Sequence, residues 1–135
     1  MIGNPLVLDT NNYQLIFPYA IDNTLYAFSQ VGYIQESNII PGNGYWLRFY
    51  EYNTTVLTGE PIIEIEINID EGWNLIASIT ESIVIENISD PSSIIVNGTI
   101  FSFGNDAYFE VETLEDGIGY WVRANSSGSI TLINE

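Results

Sequence analysis

The chain has no cysteine, no histidine and no lysine, and its only basic side chains are Arg48 and Arg123. Those absences exclude disulfides, the usual zinc sites, thiol or imidazole catalysis and Schiff-base chemistry. Against the two arginines stand 18 aspartates and glutamates, giving a formal net charge of −16. Nucleic acid and anionic membrane surfaces are poor partners for such a chain, because it lacks the cations to neutralise phosphates. Two readings of the acidity stay open: solubility, as in a saline habitat, or binding of cations such as calcium. Long apolar runs are also missing, so no stretch reaches the ~18 residues of a membrane helix. "MIGNPLVLDT" has neither the basic start nor the apolar run of a signal peptide. An exported form would be a mature piece of something longer, or would travel with another assembly.

What is present describes a folded domain. An apolar fraction of 46% over 135 residues supports a core, in one ordinary domain or two very small ones. The charged fraction, 15%, is well below the roughly 25% of typical soluble domains.

The sequence repeats itself. Residues 24–49, "TLYAFSQVGYIQESNIIPGNGYWLRF", align without a gap to 99–124, "TIFSFGNDAYFEVETLEDGIGYWVRA". Thr24/Thr99, Phe28/Phe103, Tyr33/Tyr108, Gly42/Gly117, Gly44/Gly119, Tyr45/Tyr120, Trp46/Trp121 and Arg48/Arg123 are identical. Upstream, "NYQLI" at 12–16 aligns with "WNLI" at 73–76, placing Tyr13 on Trp73, and "GNPL" at 3–6 aligns with "GEPI" at 59–62. The reading is one β domain of two repeats, residues 1–57 and 58–135.

Strand signals dominate. "IIEIEINI" alternates over 62–69, and "SIVIENI", "TIFSF", "YFEV", "YWVRA" and "SITLI" are β-branched or aromatic runs between turn residues. Only "SDPSSII" at 89–95 has the cap and proline of a helical turn. The expected class is all-β. Two small copies with open edges are expected to pack through their apolar faces as a pseudo-two-fold β-sandwich or flattened β-barrel, with the strand at 62–69 carrying the chain between them.

The repeated hexapeptides "GYWLRF" (44–49) and "GYWVRA" (119–124) hold both arginines. Alternation puts Tyr45, Leu47 and Phe49 on one face, with Trp46 and Arg48 on the other. Tyr120, Val122 and Ala124 likewise oppose Trp121 and Arg123. The first set is assigned to the core, together with Leu75 and Phe103. Trp46, Arg48, Trp121 and Arg123 are candidates for either of two roles. In the structural one, each arginine covers a tryptophan or neutralises nearby carboxylates. In the other, tryptophan stacks on a sugar ring or a polymer while arginine holds an anion. Retention in both copies favours the structural role.

Other motifs carry less. "PGNG" is no phosphate loop, since no lysine and no helix follow it; its glycines frame a tight turn. Glu64 and Glu66, and the group Glu110, Glu112, Glu115 and Asp116, read as solvated surface; a glycosidase would need two acids roughly 5–10 Å apart in a cleft. "DNT" at 22–24 and "SDPSS" at 89–93 lack the spaced ligands of a calcium loop. Sequons occur at Asn53, Asn87, Asn97 and Asn125.

Across nearly its whole length, through "IPGNGYWLRF", "TGEPI", "EGWNLIASI", "NGTIFSF" and "LEDGIGYWVRANSSGSITL", the chain resembles tandem "GWNLI…PGxGYWv" modules. Those modules recur in large exported and cell-surface proteins of Bacteroidetes-like bacteria and in related environmental and viral sequences. The resemblance rests on Trp73, Leu75, Ile76, Tyr120 and Trp121; the first copy has Tyr13 where the motif has its first tryptophan. It implies an extracellular β module, appended to adhesive or enzymatic domains, with no established catalytic residues. The expected function is therefore a non-enzymatic structural or adhesive module, without cofactor, at a cell or virion surface. Its expected partners are other surface domains, its own copies or glycans, with no nucleic acid and no membrane insertion. The alternative is a carbohydrate-binding module using exposed Trp and Tyr with Arg.

Overall fold

The computed structural model of the chain describes residues 1–52 and 54–134. It is mostly β, in several small antiparallel sheets, none of which closes on itself. The largest joins β6 (Gly72–Ala77), β11 (Gly119–Ala124), β8 (Phe101–Gly104) and β9 (Ala107–Glu110) in that spatial order. The expected alternating strand is β5 (Glu64–Ile69), paired along its length with β12 (Gly128–Ile133). Its isoleucines face inward and Glu64, Glu66 and Asn68 outward, as a period of two requires. A hairpin of β2 (Tyr26–Ser29) and β3 (Gly32–Gln35) lies in the first half. Four two-residue strands form two short pairs, β1 (Leu6–Val7) with β4 (Glu60–Pro61) and β7 (Ile83–Val84) with β10 (Thr113–Leu114).

The aligned stretches carry the same backbone bonds. Tyr26 bridges Trp46 as Phe101 pairs with Trp121, and Glu36 N–H donates to Leu25 as Val111 N–H donates to Ile100. Ile21 N–H donates to the Arg48 carbonyl at 2.8 Å, and Val96 N–H to the Arg123 carbonyl at 2.9 Å. The buried tyrosine hydroxyls match too: Ile40 N–H donates to Tyr45 and Glu115 N–H to Tyr120, at 3.0 and 2.7 Å. The hydroxyl bonds explain why tyrosine recurs at 45 and 120.

Upstream of residue 24 the sequence alignment fails. Tyr13–Ile16 is a four-residue helix, α1, capped by Asn12, whose side chain accepts from Gln14 and Leu15 N–H. Trp73–Ile76, aligned to it by letters, lies in strand β6. The bonding counterpart of α1 is the 3₁₀ turn Ile85–Asn87: Tyr13 N–H donates to Ser37, and Ile85 N–H to Glu112. "SIVIENI" is thus partly this turn and only partly strand. The helical turn expected at 89–95 is an irregular turn instead, held by the Asp90 carboxylate accepting from Ile94 and Ile95 N–H. "GNPL" and "GEPI" do not superpose as copies; they pair with each other, Leu6 opposite Pro61.

What stands in the first half where β6 stands in the second is the chain start. Ile2 bridges Tyr45 and Ile118, while Ile76 pairs with Tyr120 and bridges Asn43. Gly3 N–H donates to Gly117 as Ala77 N–H donates to Gly42. Asn4 and Ser78, the next residues along, are both fully buried. Around this junction the bonds link Met1–Gly3, Gly42–Tyr45, Leu75–Ala77 and Gly117–Tyr120 in turn.

The expected shared core is two cores. One cluster runs from Tyr13 to Tyr45 with Leu25 and Ile39 at its centre; the other runs from Ile67 to Leu132 around Ile76, Leu114, Tyr120 and Val122. At the junction the halves meet through backbone bonds rather than through one shared apolar cluster. Tyr45, Tyr120, Val122 and Leu75 are buried as expected, whereas Leu47 is only half-buried against the first core. Phe103 is 36% exposed, because Ile100 and Ser102 occupy the inward positions of that strand and Phe101 and Phe103 take the other face.

Candidate functional site

The outer face of β8 and β11 collects aromatics from both halves. Trp121 sits opposite Leu75 on one side and Phe101 on the other. Its ring meets Phe28 of the first half edge-on, with centroids 4.8 Å apart and planes at 80°. The reciprocal contact joins Trp46 to Phe103, at 5.3 Å and 69°. Each phenylalanine also abuts the tyrosine of its own hairpin, Phe28 on Tyr33 and Phe103 on Tyr108. Trp73 extends the row, 6.3 Å from Trp121 and 6.2 Å from Phe101. The result is an aromatic belt crossing from one half to the other. Edge-to-face packing of this kind adds about 0.5–1.5 kcal/mol per pair beyond area burial.

Trp121 is 9% exposed, but Trp73 is 41% and Tyr108 52% exposed, so the belt has a buried base and an open crest. Phe28, Trp73, Phe101, Tyr108 and Trp121 enclose a shallow hollow of about 370 Å³. A smaller counterpart is lined by Tyr26, Tyr33 and Trp46.

The arginines flank this belt. Arg123 lies directly opposite Trp73 across the strand pair, and its guanidinium carbon stands 6.0 Å from the Trp73 ring centre. That is within cation–π range. Among the described residues Arg48 faces no such ring. Both arginine side chains are exposed, and among the described residues neither forms an ion pair. Of the two structural roles expected for the arginines, Arg123 covers a tryptophan, Trp73, and neither arginine forms an ion pair with a carboxylate among the described residues. What the repeat holds fixed at these positions is backbone. Thr24 and Thr99 Oγ1 accept the Arg48 and Arg123 N–H at 3.3 and 3.2 Å, and donate to Ile21 and Val96 carbonyls.

The four residues singled out in the sequence thus fall into two unlike sets: Trp121 and Arg123 join Trp73 in the belt, while Trp46 is half-buried against Phe103 beside an Arg48 that meets no ring. Phe28, Trp73, Phe101 and Tyr108 complete the site and were missed. Their signal is the alternation of Tyr26-Phe28 and Phe101-Phe103, aromatics two apart with Ala27 and Ser102 between them.

Among the described residues, no three Asp or Glu side chains converge as metal ligands, and no helix is long and apolar enough to cross a membrane. Asn87, Asn97 and Asn125 are exposed, and Asn53 lies outside the described residues. No protein-family model, curated protein or solved structure matches the chain.

Proposed function

We propose that the chain is a non-enzymatic β module with a structural or adhesive role, part of a larger surface protein or of an extracellular or virion assembly. The observation that carries this reading is the belt: large aromatics from both halves exposed together beside one guanidinium. Aromatics and arginine are the residue types that concentrate binding energy at protein contacts, and a contiguous apolar patch on an otherwise acidic surface marks a contact face. The matched hydrogen bonds support a duplicated, pseudo-two-fold architecture, with repeat one at 1–57 and repeat two at 58–135. In this reading β5 and the first half of β6 belong to the second copy alone. The test is adhesion of bead-coupled protein to cells and matrix, with Trp73→Ala/Tyr108→Ala as the comparison. Equal adhesion by the variant would sink the reading.

A carbohydrate-binding role is the second reading, favoured by the hollow between Trp73 and Tyr108. Its rings meet at 51° to 85° around Trp73, so they form a notch rather than a flat platform. A notch suits a single projecting sugar ring better than a flat polymer surface. A glycan array, run with and without calcium, tests it; binding that survives Trp73→Ala would place any glycan elsewhere.

A further inference from the structure

The hollow in the belt has a chemistry of its own. Phe28, Trp73, Phe101, Tyr108 and Trp121 line it, and no carboxylate or amide side chain among the described residues does so. Phe28 and Trp121 are inclined at 80°, Trp73 and Trp121 at 85°, and Trp73 and Phe101 at 51°. Rings so inclined stand around the hollow as walls. The polar atoms they bring are one phenol hydroxyl and two indole N–H groups, so a neutral sugar enclosed there pairs few of its hydroxyls. A quaternary ammonium has no N–H to leave unpaired, and aromatic faces attract its charge. The field of a chain with net charge −16 favours a cation at the same place.

Arg123 supplies the second half of the argument. Its guanidinium carbon stands 6.0 Å from the Trp73 ring centre, outside the lining of the hollow, and it forms no ion pair among the described residues. A plain cation in the hollow would share Trp73 with this guanidinium and be repelled by it. An anion tied to that cation reverses the sign, because it accepts charge-assisted N–H bonds from Arg123. We propose that the hollow binds a zwitterion in which a quaternary ammonium and a phosphate are joined by a short bridge, as in phosphocholine. The ammonium lies among the rings and the phosphate meets Arg123. This inference rests on the belt being the contact face of the module. The hollow of the first half offers only Tyr26, Tyr33 and Trp46, and Arg48 faces no ring there. The group is taken singly from a soluble molecule rather than from a bilayer, since the anionic lipids of a membrane would be repelled by the net charge.

The test titrates the wild-type chain with phosphocholine at physiological pH and salt, followed by tryptophan fluorescence and calorimetry. The comparison ligand is its tert-butyl isostere, in which a neutral carbon replaces the ammonium nitrogen. Phosphocholine should saturate the chain and bind roughly tenfold tighter than the isostere, the scale of a desolvated cation–π contact. Trp73→Ala, at an exposed position, should weaken phosphocholine by a similar factor. Arg123→Gln should weaken phosphocholine several-fold, yet leave choline, which lacks the phosphate, bound as tightly as before or tighter. Should Trp73→Ala unfold the chain, the isostere carries the same test on the wild-type protein. Equal binding of phosphocholine and isostere overturns the proposal, because apolar burial alone would then explain it. So does a failure to saturate with millimolar phosphocholine, or an equal loss for phosphocholine and choline in Arg123→Gln. Binding to phosphatidylcholine vesicles without binding to phosphocholine overturns it in favour of a bilayer. Adhesion that needs Trp73 and Tyr108 but is not competed by phosphocholine overturns this ligand and leaves the contact face standing.

Discussion

A Cβ on Gly3 would lie 2.1 Å from the Cβ of Ala77, closer than side-chain carbons ever approach. Neither backbone is free to retreat, because Gly3 N–H is bonded to Gly117 and Ala77 N–H to Gly42, at 3.1 and 3.0 Å. The space between the two segments holds one methyl group, and Ala77 supplies it. Gly3→Ala should therefore destabilise the chain by about 1–3 kcal/mol from overpacking. Adding Ala77→Gly returns the methyl count to one and should recover most of that loss. A double-mutant cycle in urea measures the coupling; simple additivity of the two losses would deny the contact.

That junction was not legible in the sequence, and the reason is physical. Met1–Gly3 and Leu75–Ala77 make the same bonds but share only isoleucine, because a position defined by backbone bonding and close approach constrains size rather than identity. Tyr13 and Trp73 show the converse. "NYQLI" and "WNLI" match in letters, yet a four-residue helix has too few turns to leave a periodic trace, so similarity of composition stood in for similarity of place. The hairpins and hexapeptides were legible because period two and identical turn glycines agree. For the belt, the aromatics were visible but not their meeting: Phe28 reaches Trp121 only across the halves. Phe103 was assigned inward on apolarity, whereas Ser102 holds the inner position.

Two leucines near the ends of the repeats should carry unequal costs. Leu132 is fully buried in β12, and Leu57 is only half-buried. Leu132→Ala should cost about 2–5 kcal/mol through lost transfer energy and a cavity. Leu57→Ala should cost about 1 kcal/mol, in proportion to the smaller area it withdraws from water. Chemical denaturation of the two variants decides the matter; equal losses would mean that Leu57 is as deeply buried in solution as Leu132.

Alkaline pH should unfold the chain through Tyr45 and Tyr120. Burial is the largest influence on both hydroxyls and raises their pKa above the usual tyrosine value, outweighing the bonds from Ile40 and Glu115 N–H that lower it. A raised folded pKa means that the neutral form is favoured in the fold. The stability it contributes is complete below about pH 10, the unfolded value, and is lost as pH climbs through the folded value. Denaturation midpoints between neutral and strongly alkaline pH should fall in that window. Tyr120→Phe should flatten the fall, while costing about 1 kcal/mol at neutral pH because the Glu115 N–H loses its acceptor. A variant with the wild-type alkaline slope would assign the transition to other groups.

The arginines should matter little to stability, and unequally. Arg123 faces the Trp73 ring and Arg48 faces none, so Arg123→Gln should cost about 0.5 kcal/mol, the scale of an exposed cation–π contact. Arg48→Gln should be close to neutral. In the Trp73→Ala background the difference between the two should vanish. Salt provides an independent check. With a net charge of −16 and no ion pair to screen among the described residues, added salt should raise the midpoint of the wild type by damping repulsion among carboxylates. Both variants should follow the same salt curve as the wild type. A large loss in either one at low salt, erased at high salt, would show that the guanidinium does hold carboxylates in solution and would return the hexapeptide to a counter-charge role.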